Sequence, residues 1–209
     1  MPKTELYLIR HAESHANTQP HIIGGRSNHS PITEKGIQQA KRLGAYFLAE
    51  DIIPDEVYSS PAVRTLQTAR HTLGVMGVKI MPKIDEALQE LDQGDWVGQK
   101  RAEMYNEETF RELERLGKDF KAPNGESMNE TGDRVLECAN RIVSLDEQIT
   151  DSRRVFVFIH GLATRCLASR IHGWSQARTF EKCTDNTSFS LFIYRDGIWQ
   201  LEYLGKMPE

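Results

Sequence analysis

Short apolar runs alternate along this chain with longer stretches whose apolar residues recur at helical spacing. Leu6-Tyr7-Leu8-Ile9 suits a buried strand. Ile37, Ala40, Leu43, Gly44, Phe47 and Leu48 then repeat on one face of a predicted helix, opened by Pro31-Ile32-Thr33 with Thr33 as its N-cap. Pro54-Asp55 is a turn, and Glu56-Val57-Tyr58-Ser59 is a second strand. Pro61 sits near the start of a helix running from Ala62 to about Leu73, and a further strand is predicted near Val78 to Met81.

From Glu86 to Met128 the pattern changes. The segment is charged, carries one predicted helix from about Arg101 to Leu116, and ends in Pro123-Asn124-Gly125. It reads as an excursion beside the sheet, a lid or specificity lobe of one domain spanning residues 1–209. A long helix follows, from about Ser127 to Ile149. Val155-Phe156-Val157-Phe158-Ile159 is apolar on both faces, as a central parallel strand should be, and Leu162 to His172 is helical. Arg195-Asp196-Gly197 joins two strand patterns as a hairpin. The alternation predicts an α/β fold: a three-layer α/β/α sandwich with a mostly parallel sheet and helices on both faces.

Composition adds bounds. The chain has 209 residues, 39% hydrophobic and 27% charged, with a net charge of −4. That is enough to bury a core without staples, and the wrong sign for a nucleic-acid surface. No apolar run approaches the roughly 20 residues of a membrane span, and Met1-Pro2-Lys3 leads straight into a strand, so neither membrane nor secretory leader is expected. Cys138, Cys166 and Cys183 match no zinc spacing and read as reduced core thiols of a cytoplasmic protein.

Polar residues gather where three apolar strands stop. Arg10-His11 follows the first, Ser59-Ser60 and then Arg64 the second, and His160-Gly161 the third. One such histidine is most simply a core residue. Three coincident strand ends instead point to the binding crevice at the carboxyl edge of a parallel sheet. Two arginine forks suit a phosphate or carboxylate, and neutral imidazole is a competent nucleophile. A metal centre is the competing account, since His11, His15, His21 and His29 are close in sequence. No Cys, Asp or Glu completes a compact ligand set, and adjacent arginines would repel a divalent cation.

Leu8-Ile9-Arg10-His11-Ala12-Glu13-Ser14, followed by Asn17, resembles the signature of the histidine phosphatase superfamily, which includes the phosphoglycerate mutases. Ala12 stands where that signature usually has Gly. The resemblance continues through Thr33-Glu34-Lys35-Gly36, Ser59-Ser60-Pro61-Ala62-Val63-Arg64, Leu88-Gln89-Glu90-Leu91-Asp92-Gln93-Gly94-Asp95-Trp96, Gly125-Glu126-Ser127 and His160-Gly161. It implies a phosphoglycerate mutase-like fold and chemistry on a small phosphorylated metabolite, with no cofactor. It assigns His11 as the nucleophile that becomes phosphohistidine. Arg10, Arg64, His160, Asn17 and the backbone N–H of Gly161 would bind phosphoryl oxygens, and Glu90 would be the general acid and base. Val97 departs from the pattern, where relatives often carry an acid. Arg26 and Arg165 read as solvated surface residues.

Three functions compete with a phosphatase. The mutases of this family carry a long insertion between the acid segment and Gly-Glu-Ser, whereas only 35 positions separate Glu90 from Gly125 here. A phospholigand-binding module would lack the nucleophile or the acid, and both are present. A dinucleotide-dependent oxidoreductase would need a glycine fingerprint that Gly24-Gly25 does not supply.

Overall fold

A computed structural model describes residues 3–144 and 152–209. Strands β1 (Thr4–Arg10), β2 (Glu56–Ser59), β3 (Lys83–Ile84), β4 (Arg153–Ile159), β5 (Phe189–Arg195) and β6 (Ile198–Lys206) form one sheet among these residues, in the order β3-β2-β4-β1-β5-β6. The pairs from β3 to β1 are parallel, and β5 and β6 add an antiparallel edge. The α-helices among these residues are α1 (Glu34–Ala49), α2 (Val63–Met76), α3 (Arg101–Met104), α4 (Glu107–Leu116), α5 (Met128–Ser144), α6 (Gly161–His172) and α7 (Gln176–Glu181), with short 3₁₀ turns at Glu86–Leu88, Gly94–Trp96 and Gly117–Asp119.

The strand alternation explains the two covered faces. Tyr7, Ile9, Phe156 and Phe158 point to one side, against Leu43 and Phe47 of α1 and Ala69 and Leu73 of α2. Leu6, Leu8, Val155, Val157 and Ile159 point to the other, against Val135, Cys138 and Ile142 of α5 and Ala163 and Leu167 of α6. Every one of these side chains is buried, which is why β1 and β4 read as continuous apolar runs. Thr33 caps α1 as expected, its hydroxyl accepting from Gly36 N at 3.0 Å.

The structure corrects several expectations. The third strand is only Lys83–Ile84; Val78 and Ile80 instead pack against the core edge beside α2. The helix expected from Arg101 to Leu116 is broken at Tyr105. Asn106 caps α4 by accepting from Thr109 N, so the chain restarts there. Helix α7, capped by Ser175, was not expected. The end expected for α5, at Ile149, lies outside the described residues. Burial holds the thiols of Cys138 and Cys166 up at about 12, so both behave as core groups, but Cys183 is exposed rather than buried.

Candidate active site

Strand register is what assembles the site. Arg10 pairs with Ile159 across β1 and β4, so the next residues, His11 and His160, leave neighbouring strands side by side. Their ring centroids are 5.2 Å apart. On the far side of β4, Ser60 N donates to Phe158 O at 3.0 Å, which brings the start of α2 and Arg64 to the same edge.

Arg64 is buried between the two imidazoles. Its Nε donates to His11 Nε2 and its Nη2 donates to His160 Nδ1, each at 3.1 Å. Its Nη1 donates to the carbonyls of Arg26 and Ser27 at 3.0 and 2.8 Å. A guanidinium cannot accept, so the nitrogens facing it carry lone pairs. His11 therefore keeps its proton on Nδ1, donated to Ala12 O at 2.8 Å, and His160 keeps its proton on Nε2, donated to Ser60 Oγ at 2.9 Å. Burial first, then the Arg64 and Arg10 charges, push the His11 pKa well below the ordinary imidazole value. The same causes, with His11 itself, lower His160. Burial also brings the Arg64 pKa down to about 10 and lowers that of Arg10, with the Glu90 charge opposing both shifts.

This neutral pair has a stability consequence. Unfolded imidazoles bind protons below about pH 6.5 that the folded ones refuse. Stability is therefore full above that value and falls as pH drops, by up to about 1.4 kcal/mol per imidazole per pH unit. The depressed carboxylates, such as Glu56 and Glu126, act only below their ordinary value of 4.5, so the window above about pH 5 isolates the histidines. Urea unfolding should show a lower midpoint at about pH 5.5 than at about pH 7.5. An unchanged midpoint would contradict charge-free burial.

The remaining predicted residues take distinct positions. Arg10 Nη1 donates to Thr184 O, while Arg10 Nε is buried with no partner among the described residues. Such an orphaned donor inside a crevice is what an anionic ligand would satisfy. It fits there because Gly161 has no side chain: a Cβ on Gly161 would stand 3.2 Å from Arg10 Nε. Asn17 has its amide oxygen committed to Ser14 N at 3.0 Å and Ser14 Oγ at 3.1 Å, which leaves its NH₂ as a donor at the crevice. The Glu90 carboxylate rests on the N-terminus of α6. Its Oε1 accepts from Leu91 N and Ala163 N at 3.0 and 2.8 Å, and its Oε2 accepts from Leu162 N at 3.2 Å. Arg10, His11, Asn17, Arg64 and Glu90 together line one cavity of about 320 Å³. His160 and Gly161 lie beside the cavity without lining it.

Sequence reasoning missed the frame that holds these groups. Arg134 of α5 donates to the carbonyls of Ala87, Gln89 and Glu90 at 2.8, 2.8 and 3.0 Å, fixing the backbone that presents Glu90. Glu126 locks Arg134 in turn, at 2.8 and 2.9 Å. Burial raises the Glu126 pKa, but Arg134, Asp92 N–H and Arg26 outweigh it and hold the carboxyl at about 2. Arg26 is thus no solvated surface residue, since it bridges Asp92 and Glu126 at 3.3 and 2.9 Å. Arg165 is also engaged, donating to Lys182 O at 3.1 Å. Gly94, at φ +48°, closes this frame; a Cβ there would meet Pro123 O at 2.1 Å. Asn186 was unforeseen too. Its Nδ2 donates to His11 O at 2.9 Å and to Asn17 Oδ1 at 3.3 Å, tying the two together.

Comparison with known proteins identifies the family and the fold. The family model of the histidine phosphatase superfamily, branch 1, matches residues 6–206. A protein of Salmonella paratyphi C named "Probable phosphoglycerate mutase GpmB" is 32% identical over 200 residues, which cover 93% of this chain and 87% of the relative. The structure of Bacillus stearothermophilus YhfR superposes with a TM-score of 0.83 at 28% identity, covering 98% of each chain. A mycobacterial glucosyl-3-phosphoglycerate phosphatase shares the fold at a TM-score of 0.82 and 20% identity, over 97% of this chain and 99% of its own. The chain belongs to the histidine phosphatase superfamily.

Proposed function

We propose that the protein is a phosphatase that hydrolyses small phosphomonoesters through a phosphohistidine at His11. The observation that carries this reading is the unprotonated His11 Nε2, held by Arg64 Nε at the cavity. In the first step Nε2 exchanges its hydrogen bond from Arg64 Nε for a bond to phosphorus, and the bond to the alcohol oxygen breaks as Glu90 delivers a proton to it. In the second step Glu90 takes a proton from water as the water oxygen attacks phosphorus, and the bond to Nε2 breaks to release phosphate. Arg10, Arg64, the Asn17 amide and the Gly161 N–H serve the phosphoryl oxygens throughout, while His160, its two ring nitrogens engaged by Arg64 and Ser60, holds the Arg64 fork in place for them. The excursion at 86–128 is the specificity lobe of a single unit spanning 1–209, working in the cytoplasm.

The name of the Salmonella relative favours a second reading, a phosphoglycerate mutase, in which the phosphoryl group returns to substrate instead of passing to water. The short separation of Glu90 and Gly125 favours hydrolysis. A panel of phosphorylated metabolites assayed for released phosphate, with phosphoglycerate isomerisation followed alongside, decides between them. Phosphate release without isomerisation is the expected result; isomerisation faster than release would make the protein a mutase.

The two arginines supply the charge that a metal would otherwise bring. Activity should therefore survive EDTA, and vanadate, which mimics five-coordinate phosphorus, should inhibit. Activity lost to EDTA and restored by one divalent cation would reject this account.

A further inference from the structure

A second cavity, of about 370 Å³, opens beside the one that holds His11 and shares its wall at Leu91, Gln93, Arg101 and Leu162. Past that wall the lining is mostly aromatic and aliphatic, with Tyr105, Phe110 and Leu113 on one side and Phe120 and Phe180 on others, and Lys121, Glu126 and Gln176 as its polar members. The composition of α4 explains why the space stays open. Glu107 pairs with Arg111, and Glu112 with Arg115, along the charged side of the helix. Phe110 and Leu113, three residues apart, form the other side. A helix with that contrast normally buries its apolar face. Here no residue of α4 is buried, and Phe110 is 54% exposed. Phe180, from α7, is 50% exposed. The apolar faces of two elements from distant parts of the chain thus overhang one hollow that neither fills.

We propose that this hollow binds the alcohol portion of the substrate, and that the preferred substrates are phosphomonoesters of ring-bearing, largely apolar alcohols rather than of small polyols. The proposal rests on the phosphatase reading of the neighbouring cavity. Continuity identifies the occupant, because a molecule anchored by its phosphoryl group beside His11 enters the hollow directly across Leu91 and Leu162. Size and shape agree. A concave space of this volume suits a small molecule, whereas a docked protein would need several hundred square ångströms of open face. Arg101, at the neck, is held by the Pro20 carbonyl at 3.3 Å and lies over the Tyr105 ring at 5.5 Å, while Lys121, on the rim of the hollow, is paired with Glu130 at 2.7 Å.

The test uses the full chain and two stable phosphonates, methylphosphonate and naphthylmethylphosphonate, titrated calorimetrically. Burial of a bicyclic ring in this hollow is expected to tighten binding by about 10- to 100-fold over the methyl compound. The double variant Phe110→Ser, Phe180→Ser removes two half-exposed rings without opening the core. It should lose most of that advantage while binding methylphosphonate as before. Equal affinity for the two compounds in the wild type, or an advantage that survives in the variant, overturns the proposal. So does a variant that changes only the sedimentation of the protein, which would make the hollow a face for self-association. Hydrolysis of glycerol phosphate and naphthyl phosphate, measured in parallel, separates the two readings. Turnover of both without ring preference rejects the hollow and leaves the phosphatase; selective naphthyl binding without turnover of either rejects the phosphatase and leaves the hollow.

Discussion

Replacing His11 with alanine is expected to reduce turnover by several powers of ten, on the scale of other lost nucleophiles. The variant loses Nε2, the unprotonated nitrogen that Arg64 holds at 3.1 Å, and the covalent step has no substitute there. Rapid quenching of wild type with labelled substrate, kept clear of acid because a phosphorus–nitrogen bond is acid-labile, should trap label on His11 and none on the variant. The geometry supplies a control. Arg64 donates to both imidazoles, so the variant frees Nε while Nη2 still meets His160. Phosphate should therefore still bind His11→Ala, and binding retained with turnover lost would separate nucleophile from anion site. Wild-type turnover in His11→Ala would overturn the mechanism.

Glu90→Gln is expected to have the second largest effect, and an effect that depends on the leaving group. For glycerol or sugar alkoxides, which cannot depart without a proton, turnover should fall about 10²–10⁴-fold, the usual contribution of general acid catalysis. For p-nitrophenyl phosphate, whose leaving group needs little protonation, the loss should be far smaller where phosphorylation limits the rate. The carboxylate's hydrogen bonds identify the reactive oxygen. Oε1 is occupied by Leu91 N and Ala163 N, while among the described residues Oε2 meets only Leu162 N, at 3.2 Å, and keeps a lone pair for the proton. An amide at that position turns an NH₂ toward Leu162 N–H and loses this bond, so some loss is common to every substrate. The slope of rate against leaving-group acidity removes that common part. A slope unchanged from wild type would reduce Glu90 to a loop-ordering residue.

The parts of the molecule that the sequence announces are those with short-range or periodic signals. β1 and β4 are apolar on both faces, and because parallel register aligns their ends, the polar residues that follow them meet. Hence His11, His160 and the approach of Arg64 were legible. Thr33 was legible as a cap because capping is local. The break between α3 and α4 had a local signal as well, Asn106 followed by Glu107-Glu108, inside the segment read as one helix from about Arg101 to Leu116. β3 was misplaced because Val78 and Ile80 are apolar for packing and not for pairing; the ladder to β2 begins only at Tyr58 and Lys83. Of Arg26, Glu126 and Arg134, Glu126 alone fell in a motif, and no pattern tied it to the two arginines. A surface guanidinium and one that clamps three carbonyls are the same letter in a sequence. Asn186 was hidden by distance, since it reaches the backbone of a residue 175 positions earlier.

The place of β1 in the sheet governs when a catalyst can exist during synthesis. Its two neighbours, β4 and β5, begin at Arg153 and Phe189, so the strand leading to His11 emerges from the ribosome long before either partner does. Until then Leu6 to Ile9 have no sheet to join, and His11 N lacks the Ile159 carbonyl it meets in the finished protein at 3.0 Å. Pairings this remote in sequence close slowly, and an apolar strand waiting with both edges bare invites association with other nascent chains. A product that stopped short of Arg153 would display the whole Arg10-His11 signature and still have no edge on which to build the site. Competence for phosphoryl chemistry therefore waits on β4, which delivers His160 beside His11, and on the later residues Thr184 and Asn186 that hold Arg10 and His11.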